Sequence, residues 1–329
     1  MAEPKESRTA LGVAWMRAAH QVLDSKPLIL EDEPIVDLLG RYYVERLCKA
    51  PGRMQVPGVR MLRAHVVLRS RFAEDRLQES IARGVRQYIV LGAGYDTFFA
   101  RQPSWAQSLQ VFEIDQPATQ ADKLARITAA KMSIPPNVVF GSVDFENESL
   151  EDGLRRHGVR LDVPTLFSWL GVTMYLTEPA IDAVLRTVAR FAAGSEIVFT
   201  FANKAMQPIT YNLELPGGKA GTPPFGTAAS APPAAPDGLP DPPNTMPGMP
   251  SAVTLAGLAA AAGEPWLTYF EPEELARKLR ETGFANIEFL TPEMSAARYF
   301  AGREDALPSP ARSSIVSAMN ASRQQESSQ

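Results

Sequence analysis

Residues 88–97, YIVLGAGYDT, join a short apolar run to a turn that contains two glycines. The apolar run includes β-branched residues and is typical of a strand that is buried on both faces. Gly92 and Gly94 follow it, and a residue without a Cβ can take a tight turn and let a ligand approach the main chain. In parallel sheets, ligands bind beyond the carboxyl ends of the strands. We therefore expect a ligand-binding edge here, although a plain turn would also explain both glycines.

Apolar runs and helical patterns alternate through the middle of the chain. The runs predict strands at 87–91, 109–115, 137–144, 163–169, 195–201 and 285–290. Helical patterns separate them, for example at 178–191, where Pro179 suits the first turn of a helix. Strands that are almost continuously apolar and alternate with helices indicate a mostly parallel sheet. The expected fold class is α/β, with helices on both faces of the sheet.

The residues before this sheet have a purely helical pattern. Apolar residues recur at helical spacing in 9–23, a proline begins a short helix at 34–39, and 60–83 predict a long helix that breaks or bends near its middle. We expect a helical N-terminal cap over 1–84 and an α/β domain over 85–329. A polar tail over 313–329 is expected to fray at its end.

An insertion interrupts the α/β domain at 204–268. Prolines and glycines make up about half of residues 216–250, which leaves no regular element and no core there. A disordered linker and an ordered irregular lid would both have this composition. Because the sheet resumes afterwards, the insertion lies inside one domain, and we expect an irregular lid that covers a substrate.

Composition excludes several classes of function. The 329 residues carry a net charge of −4, without the basic surplus that binds nucleic acid. One cysteine and three dispersed histidines predict no metal site and no disulfide, and a single cysteine fits a reducing compartment. The polar N-terminus lacks the pattern of a signal peptide, and no apolar run is long enough to span a membrane. The sequence predicts a cytoplasmic protein.

Acidic residues end the two strands that follow the glycine turn. Asp115 comes 23 positions after Gly92, close to the offset of about 20 residues at which a carboxylate reaches ribose hydroxyls. Asp144, followed by Phe145, ends the next strand, where the edge and face of an adenine would lie. Together with the glycines, these positions predict a cofactor that contains adenosine.

The residues after the glycines distinguish between cofactors. A dinucleotide site requires the pattern G-x-G-x-x-G, whose glycines admit a pyrophosphate. In this chain Thr97 replaces the third glycine, and Asp96 places a negative charge close to where the pyrophosphate would lie. S-adenosylmethionine has no phosphate and carries a cationic sulfonium, which an acidic loop would suit. The pattern therefore favours S-adenosylmethionine, and methyl transfer as the reaction.

Several short segments carry a resemblance to a known family. They are RTA at 8–10, RSRF at 69–72 followed by Asp75, LGAGYDT at 91–97, FEIDQP at 112–117 with Lys123, VDF at 143–145, TLF at 165–167 and MYLT at 174–177. In this order they resemble the S-adenosylmethionine-dependent methyltransferases of the leucine carboxyl methyltransferase type, including their bacterial small-molecule branch. The resemblance covers about 7–205, with weaker similarity at 269–289.

This resemblance implies a class I, Rossmann-like methyltransferase fold and assigns roles to individual residues. Arg71 would clamp the methionine carboxylate of the cofactor, because a guanidinium holds a carboxylate bidentately. Gly92 and Gly94 would lie along the methionine portion, with Asp115 at the ribose. The chain departs from the family pattern at Leu170, where a glutamate is often found. That departure favours a small-molecule substrate over a protein carboxylate.

The reaction expected from these features is O-methylation of a carboxylate or hydroxyl of a small molecule, such as a polyketide. Tyr175 is the candidate catalytic residue that lines the acceptor pocket, although a tyrosine packed in the core would fit the sequence equally well. Two alternatives remain open at this stage, a nicotinamide-dependent oxidoreductase and a non-catalytic protein that binds an adenosine cofactor.

Overall fold

The computed structural model of the chain describes residues 7–49, 51–144, 148–206, 264–305 and 307–321. Within these ranges the strands are β1 Gln87–Leu91, β2 Gln110–Asp115, β3 Val138–Ser142, β4 Thr165–Trp169, β5 Glu196–Thr200, β6 Phe284–Phe289 and β7 Ile315–Asn320. They form a sheet in the order β3-β2-β1-β4-β5-β7-β6. The pairs among β1 to β5 are parallel, whereas β7 runs antiparallel to both β5 and β6. Most of the predicted 204–268 insertion, including 216–250, lies outside the described residues.

Four helices precede the sheet in the part of the chain that the structure describes. They are α1 Arg8–Leu23, α2 Pro34–Leu39, α3 Arg41–Lys49 and α4 Pro57–Ala82. Three of them match the helical patterns at 9–23, 34–39 and 60–83, whereas α3 was not predicted. The expected break in α4 is wrong, because the helix is continuous over all 26 residues. Its proline and glycine are confined to the first turn, at Pro57 and Gly58, and every later residue permits an uninterrupted helix.

The remaining described helices are α5 Pro117–Ala129, α6 Leu150–Arg156, α7 Glu178–Ala189, α8 Pro272–Thr282 and α9 Pro292–Ser295. A proline occupies the first turn of α5, α7, α8 and α9, where its missing N–H leaves no hydrogen bond unmade. None of the helices in the described ranges is both long enough and apolar enough to cross a membrane.

Alternating side chains of β1 build two cores, one on each face of the sheet. Tyr88 and Val90 join a cluster with residues of α1 to α5, whereas Ile89 and Leu91 join a cluster with residues of α6, α7 and α8. All four side chains are buried, which is why the strand reads as a continuous apolar run. This arrangement confirms the expected α/β sheet with helices on both faces.

Strand β7 lies within the segment for which the sequence suggested only a polar tail. Its polar residues have partners inside the protein. Ser317 donates a hydrogen bond to Glu196 Oε1 at 2.5 Å, and Asn320 Nδ2 donates to the carbonyls of Val188 and Phe191 at 3.1 and 3.2 Å. Because these donors are satisfied, the buried strand tolerates two polar residues among four apolar ones.

The carboxylate of Glu196 connects α4 to the sheet. It lies at the beginning of β5 with no solvent exposure, and Arg76 Nε contacts its Oε1 at 2.7 Å while Arg83 pairs with its Oε2. Both arginines belong to the end of α4 or the residue that follows it. The long helix is therefore fixed against the strand by a buried charge that accepts from three donors, including Ser317.

Removal of this carboxylate tests the connection between α4 and the sheet. In Glu196→Ala we expect the free energy of unfolding to fall by about 3 kcal/mol, since breaking a buried ion pair costs about 3–5 kcal/mol. Urea unfolding followed by circular dichroism measures the change. Glu79→Ala is the control, because Glu79 contacts the same Arg76 but its side chain is 47% exposed. Its loss should stay below about 1 kcal/mol, and equal losses in the two variants would contradict the assignment.

Candidate cofactor site

A cavity of about 450 Å³ opens at the carboxyl ends of β1, β2 and β4. Its walls come from the first half of α1, the turn after β1, the end of β2, the segment that follows β4, and residues 264–267. The cavity lies at the edge of the sheet where the glycine turn predicts a ligand. Its volume is in the range of sites for small molecules, about 300–1,000 Å³.

Gly92 and Gly94 form one wall of this cavity. Their φ angles are +65° and +51°, in the left-handed region that favours glycine. A Cβ on Gly92 would overlap the side chain of Val172, and a Cβ on Gly94 would lie 3.3 Å from the Cβ of Ala10. Both the backbone conformation and the close neighbours therefore require glycine, and the bare main chain is exposed to the cavity.

Asp115 lies beside the glycine turn and also lines the cavity. Its Oδ2 accepts a hydrogen bond from the N–H of Gly94 at 2.5 Å, and its Oδ1 accepts from the N–H of Gln116 at 2.7 Å. Burial raises the pKa of this carboxyl above its ordinary value. The structure thus brings together Gly92, Gly94 and Asp115, three of the residues that the sequence predicts to bind the cofactor.

Asp96 faces an arginine, so its charge is not free. Its Oδ2 lies 2.7 Å from Arg17 Nη1, and its Oδ1 accepts a hydrogen bond from the N–H of Phe98 at 2.7 Å. Burial by itself would raise the pKa of Asp96, but the positive charges of Arg17 and Arg101 outweigh burial and hold the pKa well below its usual range. The acidic loop that the sequence suggested for a sulfonium is therefore neutralised within the protein.

A buried network of charges extends from this pair. Arg17 Nε contacts Asp32 Oδ2 at 2.7 Å, and Asp32 also accepts from the hydroxyl of Thr97. Arg101 forms two hydrogen bonds with Glu74 of α4, at 2.7 and 2.5 Å. The network links α1, α4 and the turn after β1. Arg17 was not among the residues predicted from the sequence, and its position within the N-terminal segment that resembles the family is the signal that could have indicated it.

Arg69 on α4 is buried and lines the cavity. It makes no ion pair with any residue that the structure describes, and its guanidinium packs against Gly171, where a Cβ would lie 2.6 Å from Arg69 Nη1. Burial lowers its pKa to about 10, so the side chain stays cationic at neutral pH. Arg69 is thus a cation that faces the cavity without a partner in the described protein.

Arg71 does not reach this cavity, contrary to what the family resemblance implies. Its side chain is 44% exposed, and Nη2 pairs with Asp75 Oδ1 at 2.6 Å. Residues two apart on a helix point in nearly opposite directions, since each residue rotates about 100°. When α4 directs Arg69 into the cavity, Arg71 is necessarily directed away from it.

Asp144, one of the two predicted adenine contacts, does not line the cavity. It follows β3, and its N–H donates to Glu148 Oε1 at 2.8 Å. Phe145 lies outside the described residues. A role for either residue at the adenine therefore stays a prediction.

Leu170 and Tyr175 both line the cavity. Leu170, at the position where the family often has a glutamate, is partly buried and packs against the cluster around Phe72. Burial raises the pKa of Tyr175, and the nearby carboxylate of Glu264 adds to this effect. The phenol of Tyr175 is therefore protonated at neutral pH and can donate a hydrogen bond into the cavity.

Comparison with known proteins decides the family. The model of the family described as leucine carboxyl methyltransferase matches residues 10–189, more than half of the chain. The chain belongs to the leucine carboxyl methyltransferase family. It is an S-adenosylmethionine-dependent methyltransferase, which confirms the prediction from the sequence and sets aside the nicotinamide and non-catalytic alternatives.

Individual relatives agree with this assignment. The methyltransferase is 28% identical to the Bacillus subtilis protein YktD over 93% of this chain and 95% of that protein. It is 27% identical to a Streptomyces coelicolor protein over 60% of this chain and 70% of the relative. Both relatives are named as members of the S-adenosyl-L-methionine-dependent methyltransferases.

A solved structure supports the fold. The crystal structure of a DUF574 family protein from Streptomyces avermitilis superimposes with a TM-score of 0.51, over 93% of this chain and 97% of that protein. At 14% sequence identity this likeness concerns the fold alone. It agrees with the class I, Rossmann-like sheet that the sequence predicts.

The pairing of Asp96 predicts a dependence of stability on pH. A carboxyl with a depressed pKa stabilises the fold above its ordinary value of about 3.9, and this contribution is lost as the pH falls towards the folded pKa. In Asp96→Asn we expect the free energy of unfolding at pH 7 to be about 3 kcal/mol lower than in the unmodified protein. Its deficit relative to the unmodified protein should shrink below about pH 4.

Urea unfolding at a series of pH values from 7 down to 3 measures this difference. Asp162→Asn serves as the control, because Asp162 pairs with Arg160 on the surface and both side chains are more than 60% exposed. The control should follow the unmodified protein throughout. A deficit of Asp96→Asn that stays constant down to pH 3 would show that the ion pair does not cause the effect.

Proposed function

We propose that this methyltransferase transfers a methyl group to an oxygen of a small molecule, either a carboxylate or a hydroxyl. The supporting observation is that a single cavity of about 450 Å³ contains both the glycine turn with Asp115 and the candidate acceptor residue Tyr175. A small acceptor could therefore meet the cofactor inside one partly open cavity. Apolar side chains such as Val172 and Leu176 contribute to the same walls and would exclude water.

The proposed position of the cofactor is based on the charged side chains that line the cavity. Arg69 replaces Arg71 as the residue proposed to hold the methionine carboxylate, because it is the arginine of the pair that faces the cavity. Its planar guanidinium can hold a carboxylate through two parallel hydrogen bonds. The methionine portion would then lie against the main chain of Gly92 and Gly94, which carry no Cβ to obstruct it.

Asp115 is proposed to bind the ribose hydroxyls. Each of its oxygens already accepts one hydrogen bond from the main chain, and a carboxylate oxygen can accept a second. The existing bonds hold the carboxylate in place before the ribose arrives, which reduces the entropy lost on binding. Asp144 and Phe145 are retained as proposed adenine contacts on the basis of their sequence position.

Methyl transfer in this site would be an in-line displacement. The acceptor oxygen attacks the methyl carbon, the bond from that carbon to sulfur breaks, and the sulfur keeps the electron pair as S-adenosylhomocysteine forms. Because the sulfonium is already an activated leaving group, the protein supplies mainly alignment and a dry environment. Tyr175 can contribute a hydrogen bond at the acceptor end, since its phenol is protonated.

Substitution of the two arginines tests the cofactor assignment. In Arg69→Gln we expect the affinity for S-adenosylhomocysteine to fall by about tenfold to a hundredfold, the range for losing a hydrogen bond to a charged group. Arg71→Gln is the matched control and should change the affinity by less than twofold. Isothermal titration calorimetry measures both. A loss confined to Arg71→Gln would reverse the assignment.

The reaction class is tested by supplying matched acceptors with S-adenosylmethionine. The panel contains 2-naphthol, 2-naphthoic acid, 1-octanol, octanoic acid and octylamine, and mass spectrometry detects the methylated products. We expect methylation of at least one oxygen acceptor and none of the amine. Methylation of octylamine alone, or of no member of the panel, would contradict the proposed function.

A further inference from the structure

A second set of polar side chains lines the cavity, away from the strand ends. Ser7 and Thr9 come from the beginning of α1, Tyr175 comes from a 3₁₀ turn at Thr173–Tyr175, and Glu264 comes from the segment that leads to α8. The cofactor assignment uses none of these residues. These four residues form a polar part of the cavity wall next to the proposed cofactor site.

The carboxylate of Glu264 has only weak partners. Its two oxygens lie 3.3 and 3.4 Å from the hydroxyl of Ser7, and it makes no ion pair with any of the described residues. The side chain is half-buried at the cavity wall. A carboxylate in this position is available to accept a hydrogen bond or a proton from a molecule in the cavity.

Hydrogen-bond donors accompany this acceptor. Burial, with a smaller contribution from the Glu264 carboxylate, raises the pKa of the Tyr175 phenol, which keeps its proton at neutral pH. The buried hydroxyl of Thr9 and the indole N–H of Trp266 both approach the phenol oxygen of Tyr175, although neither reaches ideal hydrogen-bond geometry with any group in the described part of the chain. A phenol oxygen that accepts from these two groups keeps its own hydrogen for donation to a polar atom in the cavity.

The positively charged side chains of the cavity already have other partners, either in the protein or in the proposed cofactor. Among the described wall residues, Arg17 and Arg69 carry positive charge. Arg17 is held by Asp32 and Asp96 at 2.7 Å each, and Arg69 is proposed for the methionine carboxylate of the cofactor. An anionic acceptor would therefore have the cofactor sulfonium as a cationic neighbour but no uncommitted side-chain cation to offset Glu264, and like charges at close range in a partly buried site repel strongly.

A hydroxyl group suits this environment. It can donate its hydrogen to Glu264 and accept a hydrogen bond from Tyr175 through the same oxygen, whereas a carboxylate could only accept. The exposed apolar side chain of Leu267 and the neighbouring Pro265 lie at the wall beside Glu264, which favours an apolar framework around the hydroxyl.

We propose that the acceptor is a hydroxyl group on an apolar molecule and that Glu264 accepts its proton during methyl transfer. This assignment rests on the proposed O-methyltransferase function. As the acceptor oxygen forms its bond to the methyl carbon and the carbon–sulfur bond breaks, the hydroxyl proton moves to the Glu264 carboxylate. The products are a methyl ether, S-adenosylhomocysteine and a protonated Glu264, which then releases the proton to water.

The matched members of the acceptor panel test this selection directly. We expect methylation of 2-naphthol or 1-octanol and less than a tenth of that rate for 2-naphthoic and octanoic acid. With the better alcohol, Glu264→Gln should lower kcat at least tenfold at neutral pH while KM changes less than threefold. When 2-naphthol is the acceptor, the rate of the variant should recover as the pH rises towards the pKa of the naphthol hydroxyl, because an ionised acceptor needs no base. An aliphatic alcohol such as 1-octanol is too weak an acid to show this recovery.

Glu273→Gln is the matched control, since it makes the same change of charge on an exposed residue of α8, and its kinetics should not change. Faster methylation of the acids, or an unchanged kcat in Glu264→Gln, would overturn the proposal while leaving O-methylation intact. A tenfold loss of affinity for S-adenosylhomocysteine in Glu264→Gln would also overturn it, because Glu264 would then bind the cofactor. If no oxygen acceptor reacts at all, the proposed function itself fails.

Discussion

The ion pair between Arg17 and Asp96 joins the first helix of the chain to the turn that forms the cofactor wall. Two buried charges are stable in a protein only when each compensates the other and further hydrogen bonds satisfy the rest of their atoms. Asp32 and Thr97 supply those bonds here. Helix α1 and the glycine turn therefore depend on each other. Two ion pairs, Arg17 with Asp96 and Arg76 with Glu196, connect the predicted N-terminal cap (1–84) to the predicted α/β domain (85–329).

The sequence predicted those parts of the fold that are determined by residues close to one another in the chain. Strand β1 was predictable because its four consecutive apolar residues pack into the two cores, and such a continuous apolar run indicates a strand that is buried on both faces. The glycine turn was predictable because the backbone conformation of Gly92 and Gly94 excludes most other residue types. Strand β7 remained hidden since the partners of Ser317 and Asn320 are more than a hundred residues away, and a polar residue with a distant partner looks exposed in the sequence.

The same reasoning explains the candidate site. Asp115 was predictable, because the end of a strand fixes its position next to the turn. The choice between Arg69 and Arg71 was not predictable, since it depends on how α4 is rotated against the sheet, and the family resemblance covers both residues equally. Asp96 was interpreted as an isolated negative charge because its partner, Arg17, lies 79 residues earlier. Thr97, buried and bonded to Asp32, remains the more direct departure from a dinucleotide pattern.

Strand β7 also constrains the order in which the sheet can be assembled. The parallel strands β1 to β5, which carry the glycine turn and Asp115, are all synthesised within the first 200 residues. Strand β6 follows, and among the strands that the structure describes it pairs with β7 alone, so this pairing waits until residues 315–320 leave the ribosome. Until then the edge of β5 presents unpaired main-chain groups, the kind of edge at which nascent chains associate wrongly. Strand β7 thus completes a sheet whose parallel strands, which carry the glycine turn and Asp115, all precede it in the chain.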